Sequence, residues 1–417
     1  MIVGFAGMTH LGINTAVATA DKGWDIIGYD ENQEIINNLR NKELEINEPD
    51  LKLYFEKNSE RLSFTNNISK LSKCDVIYIA KDVPTNNNGE SNLEPINTLI
   101  EKVKSVINIK SSLVILCQVP PGYTRSIKLT DNKNIFYQVE TLIFGRAMDR
   151  ALNPERFIVG CSEKNNIIPK IYEKLLLSFS CPIIKMSFES AELTKIAINF
   201  FLVSSITTSN LLAEVSEEIG ADWFDIIPAL QLDKRIGKYS YIKPGLGISG
   251  GNLERDLTTI LKIANKKNIN YDLITAWIDN SKYRKKWCWE ILKKFVLSVN
   301  KNPSIAILGL AYKENTNSIK NSPSLDLLER IKDMTVHTHD PSVDPDKVRY
   351  GKYFKSIDEC IRNADVLIIS TPWEEYKKID LNKLKNEMNG NIIIDPFRVL
   401  NSKLLIDLGF QYHTLGK

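Results

Sequence analysis

The chain has 417 residues, which is enough for two or three domains of ordinary size. Its 43% hydrophobic and 25% charged residues are typical of a folded globular protein and exclude a disordered or collagen-like chain. Because 54 Lys and Arg are set against 51 Asp and Glu, the net charge is only +3, and no nucleic-acid partner is expected; a local basic pocket for phosphate remains open.

The termini, cysteines and histidines point to a cytoplasmic protein without a metal. Residues 1–6 run directly into a glycine turn, so a strand is expected there and not a signal peptide. No uninterrupted apolar run reaches the roughly 18 residues of a membrane helix, and no membrane partner is expected. Six cysteines without CxxC spacing indicate reduced thiols. Four dispersed histidines predict no metal site.

The first part of the chain alternates strand and helix patterns. A strand at 2–6 enters a glycine turn and then a helix through Ala20, and a second strand, Trp24–Tyr29, ends at Asp30. Further apolar runs predict buried parallel strands at 76–80, 113–116 and 157–160. This alternation predicts a doubly wound α/β domain, to which we assign residues 1–185.

The middle of the chain, residues 186–298, is predicted to be a helical domain. Apolar residues recur at helical spacing from Ser190 to Ile219 without glycine or proline, which corresponds to a helix of about 45 Å. A helix of this length often spans two domains or a dimer interface, so we expect a homodimer. After a Gly-rich loop, a further helical stretch is predicted from Asp256 to Val299.

The last part, residues 299–417, repeats the pattern of the first. A strand at 304–308 enters a glycine turn, and a second strand, Thr335–Thr338, is followed by Asp340-Pro341. Two more apolar strands are predicted at 366–370 and 392–395. The predicted fold class is therefore α/β, with two Rossmann-like doubly wound domains joined by a long-helix central domain.

The first glycine turn has the spacing of a dinucleotide-binding site. It lies between a strand and a helix, where a pyrophosphate would meet the helix N-terminus. Asp30, about 20 residues on, is placed to accept hydrogen bonds from the ribose of NAD and to repel the 2′-phosphate of NADP. Because Thr9 occupies the usual second glycine position, a purely structural turn is the alternative. The predicted NAD contacts are Gly7, Thr9, His10, Leu11, Gly12 and Asp30.

Further short motifs follow in a defined order, and together they resemble a known family. The motifs are Glu48-Pro49, Val83-Pro84-Thr85, 119–125, Glu140 with 153–156, 192–199, 233–237, the Gly-rich 244–256, 309–323 and 370–373. In this order they are similar to the UDP-glucose/GDP-mannose dehydrogenase family over nearly the whole chain. The resemblance implies NAD-linked oxidation of a nucleotide-activated sugar, usually twice, to a carboxylate.

The resemblance also implies roles for four polar residues. Lys195 and Asn199 would hold the substrate oxygen and stabilise its developing negative charge. Asp256 would assist a water or the lysine, and Glu140 would position water or handle protons. The alternatives are a solvated helix face for Lys195 and Asn199, a helix N-cap for Asp256 and an exposed strand-end carboxylate for Glu140.

The chain departs from the family pattern at the expected reaction centre. Asn252 occupies the position of the family cysteine, whose thiol captures the intermediate aldehyde as a thiohemiacetal; an amide cannot do this. Gln118 stands where the family typically has threonine, and 141–144 replaces a frequent Phe-Leu-Arg-Glu. Neither Cys117 nor Cys288 is near Asn252 in the sequence. These changes favour altered chemistry.

The remaining implied contacts concern the phosphates and the sugar. Lys313 would approach the substrate or its phosphates. Lys320 stands where the family often has an arginine near the cofactor pyrophosphate, and Arg235 would reach the sugar or pyrophosphate across a dimer. Each could instead be a surface cation. Further contacts are assigned to NAD at Val83, Pro84 and Thr85, and to the sugar at Gly247 and Gly250.

We therefore expect a cytoplasmic, dimeric, NAD-dependent dehydrogenase of a UDP- or GDP-linked sugar that performs a single two-electron step, with Lys195 as the leading acid or base. Three alternatives remain. The first is a redox-neutral epimerase in which NAD takes and returns a hydride. The second is a four-electron dehydrogenase in which water attacks the aldehyde under Glu140. The third is a non-catalytic relative that binds nucleotide sugar or NAD.

Overall fold

The computed structural model describes residues 1–86, 89–128, 134–163 and 167–417. The chain forms two compact units, Met1–Ile198 and Asn199–Lys417. The boundary lies within one long helix. The three-domain division at 185 and 298 stays a prediction.

The first unit is built on one eight-stranded sheet. The strand order is β3-β2-β1-β4-β5-β6-β7-β8. Its elements are β1 Ile2–Ala6, α1 His10–Asp21, β2 Asp25–Tyr29, α2 Gln33–Arg40, α3 Leu51–Lys57, β3 Leu62–Thr65, β4 Val76–Ile79, α4 Glu94–Val106, β5 Ser112–Ile115, α5 Tyr123–Ser126, β6 Asn134–Gln138, α6 Ala147–Leu152, β7 Phe157–Cys161, α7 Lys170–Leu177, β8 Ile183–Ser187 and the start of α8 Phe188–Ile219.

Strands β1 to β6 are parallel to one another, but β7 is not parallel to β6. Tyr137 pairs with Gly160 and Gln138 with Val159 in antiparallel register, so the prediction of a parallel neighbour at 157–160 is wrong. An antiparallel pair can be joined without a crossover, and the chain from 139 to 156 therefore returns on the same edge of the sheet. That edge holds the carboxyl ends of β1, β4, β5 and β6, so it is where the loop containing Glu140 lies.

The second unit is built on a six-stranded parallel sheet with the order β11-β10-β9-β12-β13-β14. Its elements are the rest of α8, α9 Trp223–Leu232, α10 Asn252–Lys267, α11 Asp272–Lys285, α12 Trp287–Leu292, β9 Ser304–Leu308, α13 Pro323–Arg330, β10 Thr335–His339, β11 Lys352–Tyr353, α14 Ile357–Ile361, β12 Val366–Ile369, α15 Leu381–Glu387, β13 Ile392–Ile394, α16 Ser402–Asp407 and β14 Gln411–His413.

The two sheets share one local design, which confirms the predicted fold class. In each, the first strand enters a glycine with positive φ, Gly7 at +100° and Gly309 at +98°. In each sheet, the first strand in sequence, β1 or β9, pairs with a later strand, β4 or β12. An aspartate just before that later strand accepts a hydrogen bond from the start of the first strand. Asp75 accepts from the Ile2 N–H at 3.0 Å, and Asp365 from the Ser304 N–H at 2.8 Å.

By length and composition alone, helix α8 is long and apolar enough to cross a membrane, and 39% of its most apolar 18-residue window is buried within the protein. The Glu192 side chain on this helix accepts hydrogen bonds within the first unit, and the Asn199 side chain donates one within the second unit. Such bonds are typical of a helix packed in a protein interior.

Helix α10 begins four residues earlier than expected. Its first residue is Asn252 and its N-cap is Gly251, so the alternative of Asp256 as a helix N-cap is wrong. Asp256 instead lies in the second turn of the helix and is buried. The predicted stretch from 256 to 299 is divided into three α-helices, because the chain breaks at Asn268 with positive φ and again after Lys285.

Candidate functional site

The predicted cofactor turn has the geometry that close backbone approach requires. A Cβ atom on Gly12 would lie 1.9 Å from the Gly7 carbonyl oxygen, and one on Gly7 would lie 2.6 Å from the Lys81 Cβ. Thr9, in contrast, has a φ of −85° that any residue adopts, so the backbone conformation at this position does not require glycine. The Thr9 hydroxyl accepts a hydrogen bond from the Asp82 N–H at 2.9 Å. His10, Leu11 and Gly12 open α1, as predicted.

Asp30 retains acceptor capacity at the end of β2. Its Oδ2 accepts from the Met8 N–H at 2.8 Å, and its Oδ1 accepts from the Asn32 N–H at 3.0 Å. An ionised carboxylate offers about four lone-pair sites, so these two bonds leave room for the two hydroxyls of a ribose. Asp30 therefore both stabilises the turn and remains suitable for a sugar diol.

The equivalent aspartate of the second unit, Asp340, has no comparable spare capacity. Five donors surround its two oxygens at 2.7–3.2 Å: the N–H groups of Leu310, Ala311, Ser342 and Val343 and the indole of Trp373. These bonds already use the lone-pair sites of the carboxylate. The contrast favours Asp30 over Asp340 for the predicted ribose contact, which stays a prediction.

Replacing Asp30 with alanine is expected to weaken NAD binding by about 1–3 kcal/mol, because charge-assisted hydrogen bonds to the ribose are lost. The same change should narrow the preference for NAD over NADP, since the negative charge facing a 2′-phosphate is gone. Titration of both cofactors would measure this. Asp340→Ala is the matched control, with lower thermal stability and an unchanged ratio of the two affinities. NADP binding as tight as NAD in the unaltered protein would contradict the assignment.

Lys195 and Glu140 form an ion pair within the first unit. The Lys195 Nζ lies 3.4 Å from a Glu140 carboxylate oxygen, and Lys195 is only 9% exposed. Glu140 follows β6, and its second oxygen accepts a hydrogen bond from the Leu142 N–H. The alternatives of a solvated helix face for Lys195 and an exposed strand-end carboxylate for Glu140 are therefore wrong. A buried amine beside a carboxylate is suited to proton transfer.

The position of Lys195 is set by Glu192, one turn earlier on α8. Glu192 is fully buried and accepts hydrogen bonds from the Gly122 N–H at 2.6 Å and the Thr124 N–H at 2.8 Å. Burial raises the pKa of Glu192, and the backbone bonds oppose that rise. The carboxylate thus fixes the start of α8 to the loop that follows β5, at the same edge of the sheet as Glu140.

In the second unit, Asn199 and Asp256 are bonded to each other. The Asn199 Nδ2 donates to the Asp256 Oδ2 at 2.5 Å, and both side chains are buried. The Arg255 Nε lies 3.5 Å from the other oxygen of Asp256. Because the amide NH2 is committed to the carboxylate, the orientation of Asn199 is fixed. The solvated-face alternative is wrong for Asn199 as well.

The Gly-rich loop is packed against residues 320–321. The Gly250 N–H donates to the Lys320 carbonyl at 3.1 Å, and the Asn321 Nδ2 donates to the Gly250 carbonyl at 2.8 Å. A Cβ on Gly247, whose φ is +74°, would lie 2.5 Å from the Ser281 carbonyl oxygen. The loop therefore has a defined shape, and it presents Asn252 as an exposed residue at the start of α10.

The predicted cations differ in their surroundings. Lys320 is half-buried, and burial followed by the nearby Arg255 charge lowers its pKa, while the Glu254 charge opposes this. The Lys313 Nζ lies 5.8 Å from the centroid of the Tyr312 ring. Arg235 is 89% exposed at its side chain and pairs with Asp233 at 2.6 Å. Within one chain Arg235 is a surface cation, and its role across a dimer stays a prediction.

The remaining predicted contacts also lie beyond strand ends. Gln118 is half-buried just after β5, and Val83, Pro84 and Thr85 follow β4. β4 pairs with β1 and β5 pairs with β4, all in parallel, so both loops lie at the edge of the sheet that holds the cofactor turn. This is where ligands bind in open α/β sheets.

Two cysteines, Cys117 and Cys288, are candidates to replace the missing nucleophilic thiol, and neither is suited to that role. Cys117 and Cys288 are buried, and burial raises the pKa of each to about 12. A thiol with such a pKa is protonated near neutral pH and is a poor nucleophile.

Sequence reasoning missed Glu48 as a site residue. Its buried carboxylate accepts from the His10 Nε2 at 2.7 Å, yet the two residues are 38 positions apart, so no local spacing signalled the contact. Burial alone would raise the pKa of Glu48, but hydrogen bonds from His10, Gly145 and Ala147 lower it below its ordinary value of 4.5.

Glu48→Gln is expected to lower the free energy of unfolding by about 1–3 kcal/mol near neutral pH, because a buried charge-assisted bond is lost. A lowered pKa in the folded state gives stability that is present above the unfolded value and is lost as pH falls through the folded value. The difference between the variant and the unaltered protein should therefore shrink in acid. Denaturant unfolding from pH 7 to pH 3 would measure it, and a constant difference would contradict the pairing.

Family models cover most of the chain. Three descriptions of the UDP-glucose/GDP-mannose dehydrogenase family match in order: the NAD binding domain at residues 1–176, the central domain at 189–282 and the UDP binding domain at 306–402.

Curated relatives and solved structures agree with this. The chain is 29% identical to a UDP-glucose 6-dehydrogenase of Bacillus subtilis (strain 168), over 99% of this chain and 92% of the relative. It is 28% identical to that of Rickettsia prowazekii (strain Madrid E), over 100% and 99%. The fold matches a UDP-D-ManNAc dehydrogenase structure from Pyrococcus horikoshii with a TM-score of 0.86 and 24% identity, covering 100% of this chain and 99% of that one. A UDP-glucose dehydrogenase structure from Pyrobaculum islandicum gives 0.83 and 24%, covering 95% and 94%.

Proposed function

The chain belongs to the UDP-glucose/GDP-mannose dehydrogenase family, whose N-terminal domain binds NAD, and on that premise we propose that it oxidises a UDP- or GDP-linked sugar by a single two-electron step. The observation that carries the proposal is the buried Lys195–Glu140 pair, with 3.4 Å between Nζ and Oε2. A protein that only bound the nucleotide sugar would not need a paired amine and carboxylate of this kind.

The residues of the cofactor turn fit NAD. Gly7 and Gly12 allow the tight packing of the turn, because a Cβ atom on either would collide with neighbouring protein atoms, and Asp30 has two lone-pair sites to spare for a ribose. Bound NAD would supply the hydride acceptor for oxidation of the alcohol carbon. The backbone N–H groups at the start of α1 would hold its pyrophosphate, and Val83, Pro84 and Thr85 would line the site.

The chain's own groups would handle the proton and the charge on the substrate oxygen. Lys195 would accept the hydroxyl proton at Nζ, and the Glu140 carboxylate would stabilise the ammonium that this forms. As the family resemblance implies, Asn199, whose amide is bonded to Asp256, would help to stabilise the developing charge on the oxygen. Lys313, Lys320 and Arg235 would bind phosphates, and Gly247 and Gly250 would shape the sugar site.

The single step is proposed because the second oxidation lacks its nucleophile. Asn252 is at the position where the family has its cysteine, and an amide cannot add to an aldehyde and leave again under these conditions. Cys117 and Cys288 are buried thiols with pKa values raised to about 12. The first oxidation needs no thiol, and the groups that it does need are retained.

A panel of UDP- and GDP-linked sugars assayed for NADH formation tests the proposal. We expect NADH with at least one of them and none with the free sugar. An epimerase would convert a nucleotide sugar without net NADH, which chromatography of the sugar would detect. NAD binding without either conversion would favour the non-catalytic alternative.

We expect a homodimer in the cytoplasm. One exposed face of α8 carries apolar residues at helical spacing: Phe201, Leu212, Val215 and Ile219. The side chain of Phe201 is 79% exposed and that of Ile219 is 73% exposed. An apolar stripe of this kind usually marks a protein interface. Light scattering at micromolar concentration should give twice 47.4 kDa, and Phe201→Glu should shift the protein towards monomer. A monomer alone in the unaltered protein would contradict this prediction.

A further inference from the structure

The cofactor turn and the loop that carries Glu140 are joined by one buried contact between His10 and Glu48. We propose that His10 and Glu48 are a positioning pair, which transmits the placement of the NAD-binding turn to the loop 139–147 and so holds Glu140 against Lys195. This inference rests on the proposed function, since it assigns the pair a role in that same reaction.

The first link is between the turn and Glu48. His10 is the first residue of α1, next to the backbone that is predicted to hold the pyrophosphate. Its Nε2 donates to the Glu48 Oε1 at 2.7 Å, and the Glu48 side chain is 1% exposed. A bond this short to a buried carboxylate fixes both side chains, because no water competes for it.

The second link is between Glu48 and the loop. The same carboxylate accepts from the Gly145 N–H at 2.8 Å and the Ala147 N–H at 3.2 Å. Phe144, immediately before these residues, packs on the His10 ring with 4.2 Å between ring centroids. The far end of the loop is thus held to the cofactor turn both by hydrogen bonds and by ring packing.

The third link is between the loop and the reacting groups. Glu140 lies at the near end of the loop and bonds to the Leu142 N–H as well as pairing with Lys195. The Arg150 Nε also donates to the Thr141 carbonyl at 2.6 Å, next to Glu140. Because a displacement of about 1 Å can cost roughly 100-fold in rate, the anchors at both ends of the loop matter for the chemistry.

Two variants of His10 separate the hydrogen bond from ring packing. His10→Phe keeps an aromatic ring beside Phe144 but cannot donate to Glu48, whereas His10→Gln can donate but has no ring. We expect His10→Phe to lower kcat at saturating NAD by about tenfold or more, with the Kd for NAD changed less than threefold. His10→Gln should recover most of kcat. Lys57→Gln, which breaks the exposed Lys57–Asp21 pair elsewhere in the same unit, is the matched control and should leave kcat unchanged.

A double-mutant cycle tests the link itself. If the two residues act through one contact, His10→Phe combined with Glu48→Gln should lower kcat no further than the worse single variant. Independent, multiplicative losses would overturn the proposal. So would a His10→Phe enzyme with unchanged kcat, or one whose only defect is weaker NAD binding.

Hydrogen exchange of the 139–147 segment distinguishes failure of this inference from failure of the proposed function, because it needs no substrate. In the unaltered protein NAD should slow exchange in this segment, and in His10→Phe the protection should be lost although NAD is bound. Equal protection in both proteins would overturn the positioning role, whatever the reaction proves to be. Absence of NADH formation with every sugar would overturn the proposed function alone.

Discussion

Replacing Lys195 with methionine is expected to lower kcat by about 100-fold or more, the usual consequence of removing a positioned acid or base. Methionine has a similar length and no charge, so packing on α8 is largely kept while the proton acceptor is lost. The change also leaves Glu140 without its cationic partner at 3.4 Å. Initial rates at saturating NAD and nucleotide sugar would measure the loss.

Lys195→Arg separates the base from the charge. A guanidinium keeps the positive charge beside Glu140, but it cannot release its proton near neutral pH, so a base function is lost while electrostatic support is kept. We expect Lys195→Arg to remain as folded as the unaltered protein by thermal unfolding, with a loss in kcat close to that of Lys195→Met. A nearly fully active arginine variant would contradict the role of Lys195 as the base and leave it a purely electrostatic one.

The parts of the fold that local patterns determine were predicted well. Buried strands such as β4 and β5 are short runs of apolar residues on both faces, and the turn between β1 and α1 needs glycine at two positions for steric reasons. The long helix α8 was identified because its apolar spacing is uninterrupted. These features depend on a few neighbouring residues, which is why the sequence alone carries them.

The parts that depend on distant residues were not predictable in the same way. The direction of β7 relative to β6 depends on the path of the chain between these strands, which includes α6. No residue within β7 indicates that direction. The start of α10 was placed at Asp256 instead of Asn252, because the Gly-rich loop before it has no side-chain cap to mark the boundary. The contact of Glu48 with His10 joins residues that are far apart in sequence and has no periodic signal.

The candidate site was predicted as a set of residues, but its pairing came from the structure. Family resemblance named Lys195, Asn199, Asp256 and Glu140, and left open whether each was only a surface or capping residue. Burial and the bonds of Lys195 to Glu140 and of Asn199 to Asp256 remove those alternatives. Charged and amide groups are rarely buried without such partners, so the two pairs are the observation on which the proposed chemical roles depend.

The reaction is expected to form one NADH for each sugar consumed, because the chain lacks the group that a second oxidation uses. Double oxidation requires a nucleophile that adds to the aldehyde and holds it during a second hydride transfer, and a thiolate is suited to this task. Asn252 offers only hydrogen bonds, from the exposed first position of α10. The product is then an aldehyde or ketone and not a uronic acid.

Asn252→Cys provides the matched gain-of-function test. A thiol at the start of α10 would lie at the positive end of the helix dipole, which favours the thiolate, so part of the second oxidation is expected to appear. Gln118 and Thr141, at two other departures from the family pattern, are expected to limit its rate. Asn252→Ser, with a hydroxyl of similar size and no such nucleophilicity, is the control and should leave the stoichiometry at one.

The deciding measurement is NADH released per sugar, together with mass spectrometry of the product. One NADH per sugar with a carbonyl product supports the proposal, and a rise above one in Asn252→Cys alone would assign the difference to this position. Two NADH per sugar and a uronic acid from the unaltered protein would contradict it, and would require water to attack the aldehyde directly under Glu140. In that case Glu140→Gln should reduce the second equivalent more than the first, because only the second oxidation consumes an activated water.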